Sequence, residues 1–141
     1  MSVGETFAFE LGRVHRKWRA RLDDRLKDTG LTHARWHALL TIWRHGEALT
    51  QRELAQMLGI EGPTLVRILD WLEGEGLIQR TPADRDRRAN ALRATEAARP
   101  VVAKIEHIAN DLRAELLAEV SPEHLAIATE VLKKIGDKLE R

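Results

Sequence analysis

Apolar residues recur at steps of three and four along most of the chain, and short polar or glycine-containing breaks separate these runs. Phe7, Leu11, Val14, Trp18, Leu22 and Leu26 form the first stripe, which predicts a helix from about Glu5 to Lys27. Gly30 stops it. A second helix follows Thr32, with Trp36, Leu39, Leu40 and Trp43 inward and Gly46 at its end. Thr50-Gln51-Arg52-Glu53 has the spacing of a capping box and opens a short third helix. Leu54 and Leu58, with Met57 beside them, face inward there, and Gly59 closes it. A fourth helix begins near Gly62-Pro63, where proline suits the first helical position. Leu65, Ile68, Leu69 and Leu72 line its inner side, and Gly74 and Gly76 end it.

The period then changes. Leu77 to Arg80 predicts a short strand and Ala91 to Thr95 a return strand, joined by a polar connection through Arg88. Thr95 is placed to cap a long helix reaching about Glu119. Ser121-Pro122 restarts the chain as cap and first helical residue of a last helix with Leu125, Ala128, Val131, Leu132, Ile135 and Leu139. The expected fold is mainly α with a small β-ribbon, a winged helix-turn-helix flanked by N- and C-terminal helices. A chain of 141 residues without repeats or a linker predicts a single domain over 1–141.

Composition narrows the chemistry. Cysteine is absent, which excludes disulfides, thiolate zinc sites and thiol redox sensing. The N-terminus lacks a basic stretch followed by an apolar run, and no apolar run approaches membrane-spanning length, so the expectation is a cytoplasmic protein with no membrane contact. The formal net charge is +1, so any nucleic-acid surface must be local. From Arg80 to Arg99 there are six arginines against Asp84, Asp86 and Glu96, whereas Glu106 to Arg141 holds eight acids and five bases. An enzyme is not expected and no catalytic residue is assigned: no phosphate-binding glycine loop, nucleophile elbow or His-Glu-x-x-His is present. No cofactor is expected. His33 and His37 have zinc-compatible spacing but no third strong ligand nearby in sequence, so no metal site is assigned.

Helix-turn-helix order followed by a two-stranded ribbon fits groove geometry, because a helix enters the major groove of B-DNA. On the fourth helix Pro63, Arg67 and Asp70 lie opposite the leucine stripe, with Thr64 and Trp71 beside them. Arg67 suits a guanine edge or a phosphate, and Thr64 a phosphate near the helix start. The same spacing also describes an ordinary amphipathic helix with a solvated arginine. In the ribbon, Arg85, Arg87 and Arg88 alternate with Asp84 and Asp86. An aspartate can orient a neighbouring arginine for the narrow minor groove; a solvated charged turn is the other reading.

The segments Leu49-Thr50-Gln51-Arg52-Glu53-Leu54-Ala55, Leu58-Gly59-Ile60-Glu61, Pro63-Thr64-Leu65-Val66-Arg67, Leu69-Asp70, Leu72-Glu73, Gly76-Leu77-Ile78 and Asp86-Arg87-Arg88 together resemble the core of the MarR family, particularly its SlyA-like branch. The resemblance implies that the fourth helix is the recognition helix, with Pro63, Thr64 and Arg67 at the DNA. It implies a wing of Arg85, Asp86, Arg87 and Arg88, in which Arg88 enters the minor groove and Asp86 holds it. It implies terminal helices (1–30 and 96–141) that interleave in a homodimer, a winged lobe over 31–95, and a pseudopalindromic double-stranded operator. It further implies a small phenolic or aromatic carboxylate effector, for which Arg16, Trp18, Arg19, Trp36 and His37 are the candidate residues, although each is also readable as core or helix surface. The sequence departs from the family pattern at Asn90, where a basic residue is usual, and at Ala94, where leucine is usual. Two other functions stay open on sequence: an architectural or counter-silencing DNA-binding protein, and a helical adaptor without DNA binding.

Overall fold

Ser2 and Glu5 cap each other's backbone at the start of the first helix, α1 (Val3–Leu26): the Ser2 hydroxyl accepts from the Glu5 N–H and the Glu5 carboxylate accepts from the Ser2 N–H. This box, visible as Ser-x-x-Glu, starts the helix two residues before the apolar stripe alone would. The computed structural model describes residues 1–46, 48–82 and 90–141. After one 3-10 turn (Lys27–Thr29), α2 spans His33–His45 and is capped by the Thr32 hydroxyl. A two-residue strand β1 (Leu49–Thr50) leads directly into α3 (Gln51–Leu58), then α4 (Gly62–Gly74), β2 (Ile78–Pro82), β3 (Asn90–Ala94), α5 (Ala98–Leu117) and α6 (Pro122–Leu139).

The expected ribbon is a three-stranded antiparallel sheet in the order β1-β3-β2. Leu49 pairs with Leu92, and Ile78 with Ala94. Two residues cannot display an alternation, which is why β1 escapes a periodicity reading. Trp43 is half-buried and packs against the core from the inward side. Two expectations need correction. Met57 is 56% exposed, not inward. Thr95 does not begin the fifth helix: its hydroxyl donates to the Gly76 carbonyl at 2.6 Å, fastening the end of the ribbon to its start, and α5 begins at Ala98.

The chain divides into two compact units, Met1–Ala109 and Asn110–Arg141. The core of the first is built from Leu39, Leu54, Leu65, Leu69, Leu72 and Leu92, all fully buried, joined by Leu26 from α1 and Ala98, Val102 and Ile105 from α5. Each leucine removed from water contributes about 1.5–3 kcal/mol. The tight turn between α3 and α4 needs Gly59, whose φ of 66° lies in the left-handed region. The second unit holds the last turns of α5 and α6; Leu112 is its one buried side chain. Among the described residues no helix is long and apolar enough to cross a membrane.

Candidate nucleic-acid interface

The inner face of α4 is fixed by burial of Leu65, Ile68, Leu69 and Leu72, so the opposite face must look outward. Pro63, Thr64, Val66, Arg67 and Asp70 are exposed there, at the spacing that stacks residues along one side of a helix. Gly62 is the first helical residue and Pro63 the second, a position whose N–H has no intrahelical partner in any residue. Glu61 at the cap makes no side-chain capping bond, so the helix start is left with donors for another acceptor. Arg67 has no hydrogen bond or ion pair with any described residue, in contrast to Asp70 one turn further on.

Asp70 is held. The Arg80 Nη2 donates to Asp70 Oδ1 at 2.5 Å and to Glu73 Oε1 at 2.9 Å, and the Arg80 backbone N–H donates to Glu73 Oε2 at 3.3 Å. One arginine of β2 thus ties two carboxylates of α4 and is only 20% exposed while doing so. The Arg80 hydrogen bond keeps the Glu73 carboxyl below the usual carboxylate range, and Glu73 and Asp70 raise Arg80 in turn. Trp71 packs against the core and carries the Arg35 guanidinium 4.1 Å from its ring centroid. Arg35 also donates to the Gly30 carbonyl at 3.2 Å. The end of α4 is therefore anchored by two arginines that sequence reasoning gave no role. The available signal for Arg80 was Asp70 and Glu73 at i,i+3 on α4, followed across the Gly76 turn by a single arginine on the next strand.

The expected wing residues Arg85, Asp86, Arg87 and Arg88 lie outside the described residues. On the described part of the ribbon, Arg93 of β3 is exposed, and the small Ala94 next to it lines a cleft of about 210 Å³ with Ile42, Trp43, Gly46 and Arg93.

A model described as the MarR family matches residues 31–89. The chain is similar to the transcriptional regulator PA3341, with 44% identity and a TM-score of 0.86, covering 95% of this chain and 98% of that one. The chain belongs to the MarR family. Its fold is shared with a mutant MarR from E. coli complexed with operator DNA (24% identity, 92% of this chain and 93% of that one, TM-score 0.80). The S. aureus MepR protein in its DNA complex is another such match (23% identity, 98% and 99% coverage, TM-score 0.82). The mainly α winged-helix architecture of MarR proteins is thus the fold of this chain.

The five residues considered for an effector in this MarR-family chain fall into two groups. Asp23 of α1 contacts two of the five together with His33: its Oδ1 accepts from Trp36 Nε1 at 3.1 Å and lies 3.3 Å from His33 Nδ1, and its Oδ2 is 3.9 Å from Arg19 Nε. His37 stacks beside them, its ring centroid 5.4 Å from that of His33 and 5.8 Å from that of Trp36. Arg19, Trp36 and His37 therefore meet at the junction of α1 and α2. Arg16 is exposed and lies along its own helix near Gly12, and Trp18 is half-buried; neither has a described contact with the Asp23 cluster. The His33–Asp23 distance is within ion-pair range, yet His33 Nδ1 makes no hydrogen bond. Burial, then repulsion from Arg19, outweighs the attraction of Asp23 and lowers the His33 pKa, so the contact is a neutral imidazole beside a carboxylate near neutral pH. His37 is lowered for the same reasons, burial first and then Arg19 and Arg44.

Proposed function

We propose that this chain is a homodimeric, sequence-specific regulator of transcription that binds double-stranded DNA with α4 in the major groove. The observation that carries the reading is the outward face of α4. It offers Pro63, Thr64 and an Arg67 without a partner among the described residues, at a helix start with no side-chain cap, while the acids further along, Asp70 and Glu73, are tied to Arg80. A helix start attracts phosphate, and a free guanidinium can reach a guanine edge or a phosphate. The relatives crystallised with DNA share this fold. The wing arginines Arg85, Arg87 and Arg88, with Asp86 orienting Arg88, are assigned to the minor groove by the family's pattern.

The dimer is supported by the apolar residues that α1 and α6 leave uncovered. Phe7, Leu11 and Val14 are each more than 40% exposed, and α6 buries none of its residues. An 18-residue helix with no buried side chain is marginal by itself in water. The effector in this reading is a small aromatic carboxylate, with Arg19 as the cation and Trp36 and His37 as aromatic walls, and with Arg16 and Trp18 as the outer candidates from α1.

Selection of bound duplexes from a random pool at physiological salt tests the function. A pseudopalindromic consensus with half-sites about one helical turn apart is expected. Enrichment of A·T-rich or bendable DNA without a consensus indicates an architectural protein, and no enrichment indicates an adaptor. For the effector, benzoate titrated into the protein–consensus complex is expected to release DNA. Release that persists unchanged in Arg19→Gln removes the α1–α2 junction from the reading.

A further inference from the structure

The acids on α4 pose a problem for a helix that approaches phosphates. Asp70 shares the outward face with Arg67 and lies three residues beyond it, the spacing at which side chains on a helix meet. An arginine and an aspartate so placed would pair with each other, and the guanidinium would be drawn back along the helix. Here that pair is absent. Asp70 is engaged at 2.5 Å by Arg80 from the neighbouring strand, which also holds Glu73.

We propose that Arg80 is a positioning residue for DNA recognition: by holding Asp70 it keeps the Arg67 guanidinium free to reach DNA. The inference rests on the DNA-binding reading above and adds a named device to it. Two structural observations and the chemistry of the guanidinium converge. Arg80 is the least exposed of the three groups, 20% against 58% for Asp70 and 42% for Glu73, so it is the fixed partner to which the acids come. Its backbone N–H is bonded to Glu73 as well, which fixes where the side chain starts. A guanidinium presents several donors in a rigid plane, so one Arg80 nitrogen serves two carboxylates while its charge offsets one of them beside the DNA face. Removing Arg80 therefore has two consequences that add. Asp70 becomes free to pair with Arg67, and Glu73 is left without its cation near the phosphates.

The test compares the unaltered protein with Arg80→Ala, Asp70→Asn and the double variant R80A/D70N. Binding to the consensus duplex recovered by selection, and to a scrambled duplex, is measured by fluorescence anisotropy. R80A is expected to bind the consensus about fivefold more weakly, with a smaller loss on scrambled DNA. D70N alone sets the reference of the cycle, and R80A/D70N is expected to recover to within about twofold of D70N. The Arg67 side-chain N–H signal in a ¹H–¹⁵N spectrum is expected to shift in free R80A and to return in R80A/D70N, a change that loss of stability alone does not produce. R80A that binds like the unaltered protein, or a double variant as weak as R80A, overturns the proposal while leaving the DNA-binding reading intact. An unaltered protein that retains no duplex overturns both.

Discussion

Arg67 has no acidic partner among the described residues, so one substitution isolates what its charge does. Arg67→Ala is expected to weaken consensus binding by about 1–3 kcal/mol, the range for a good groove contact. Relaxed preference at one base pair in repeated selection identifies a base contact. An equal loss on all sequences, with the salt slope reduced by about one, identifies a phosphate contact, and unchanged affinity removes Arg67 from the interface. His33 governs a different property. Its pKa is lowered in the folded chain, chiefly by burial, so the unfolded chain binds the proton more readily. Its effect is absent well above the ordinary imidazole value of about 6.5, and stability falls as pH drops through it, levelling once the lowered folded value is passed. His37 acts in the same direction. The lowered carboxylates Glu5, Glu10, Glu53, Glu73 and Glu96 act in a separate window, losing their contribution only as pH falls below about 4.3. Urea midpoints are therefore expected to fall between pH 7.5 and pH 5, and less so in His33→Gln. An equal fall in that variant means that His33 does not carry the dependence.

At the scale of elements, what the sequence made legible follows from how each element is stabilised. The buried stripe of α4 and the capping box of α3 are local patterns, and both stand where spacing places them. β1 was not legible because its two residues are held by pairing with β3, more than forty positions away. The start of α5 was misread for a related reason: Thr95 has the chemistry of a cap, but its hydroxyl donates to Gly76 across the ribbon. The Arg80 clamp depends on β2 returning alongside α4, which no local pattern encodes. The departure at Ala94 was legible as a departure, and its consequence is now spatial. Ala94 sits in the cleft beside Trp43 and Ile42, where a larger side chain would have room. Ala94→Leu is expected to raise the unfolding free energy by about 1 kcal/mol through apolar burial, read from the urea midpoint. A lowered midpoint would mean that the Trp43 ring and the strand cannot accommodate the added volume.

For the whole molecule, the decisive property is how the chain covers the apolar surface that its own fold leaves open. The stripe of α1 reaches the core only at its last turns: Leu26 is fully buried, whereas Phe7, Leu11 and Val14 are 41%, 43% and 44% exposed. The stripe of α6 has no buried member, with Leu125 37%, Val131 39%, Leu132 46% and Leu139 79% exposed. Periodicity exposed both stripes in the sequence, but it cannot distinguish a stripe that faces its own core from one that faces a second chain. A second copy is the occupant that the DNA-binding reading requires, because two recognition helices about one helical turn apart read a two-fold operator and one helix does not. Leu132 lies on the Leu125–Leu139 stripe, so Leu132→Glu would place an unpaired charge in that contact. At micromolar concentration the unaltered protein is expected to sediment as a dimer and Leu132→Glu as a monomer, or with a dissociation constant raised at least about tenfold. Since the DNA face on α4 is untouched, the variant should keep weak binding to a half-site duplex and lose preference for the full palindrome. A monomeric unaltered protein would contradict the dimer. A dimeric Leu132→Glu protein would instead move the contact to α1, where Phe7→Glu is the corresponding substitution.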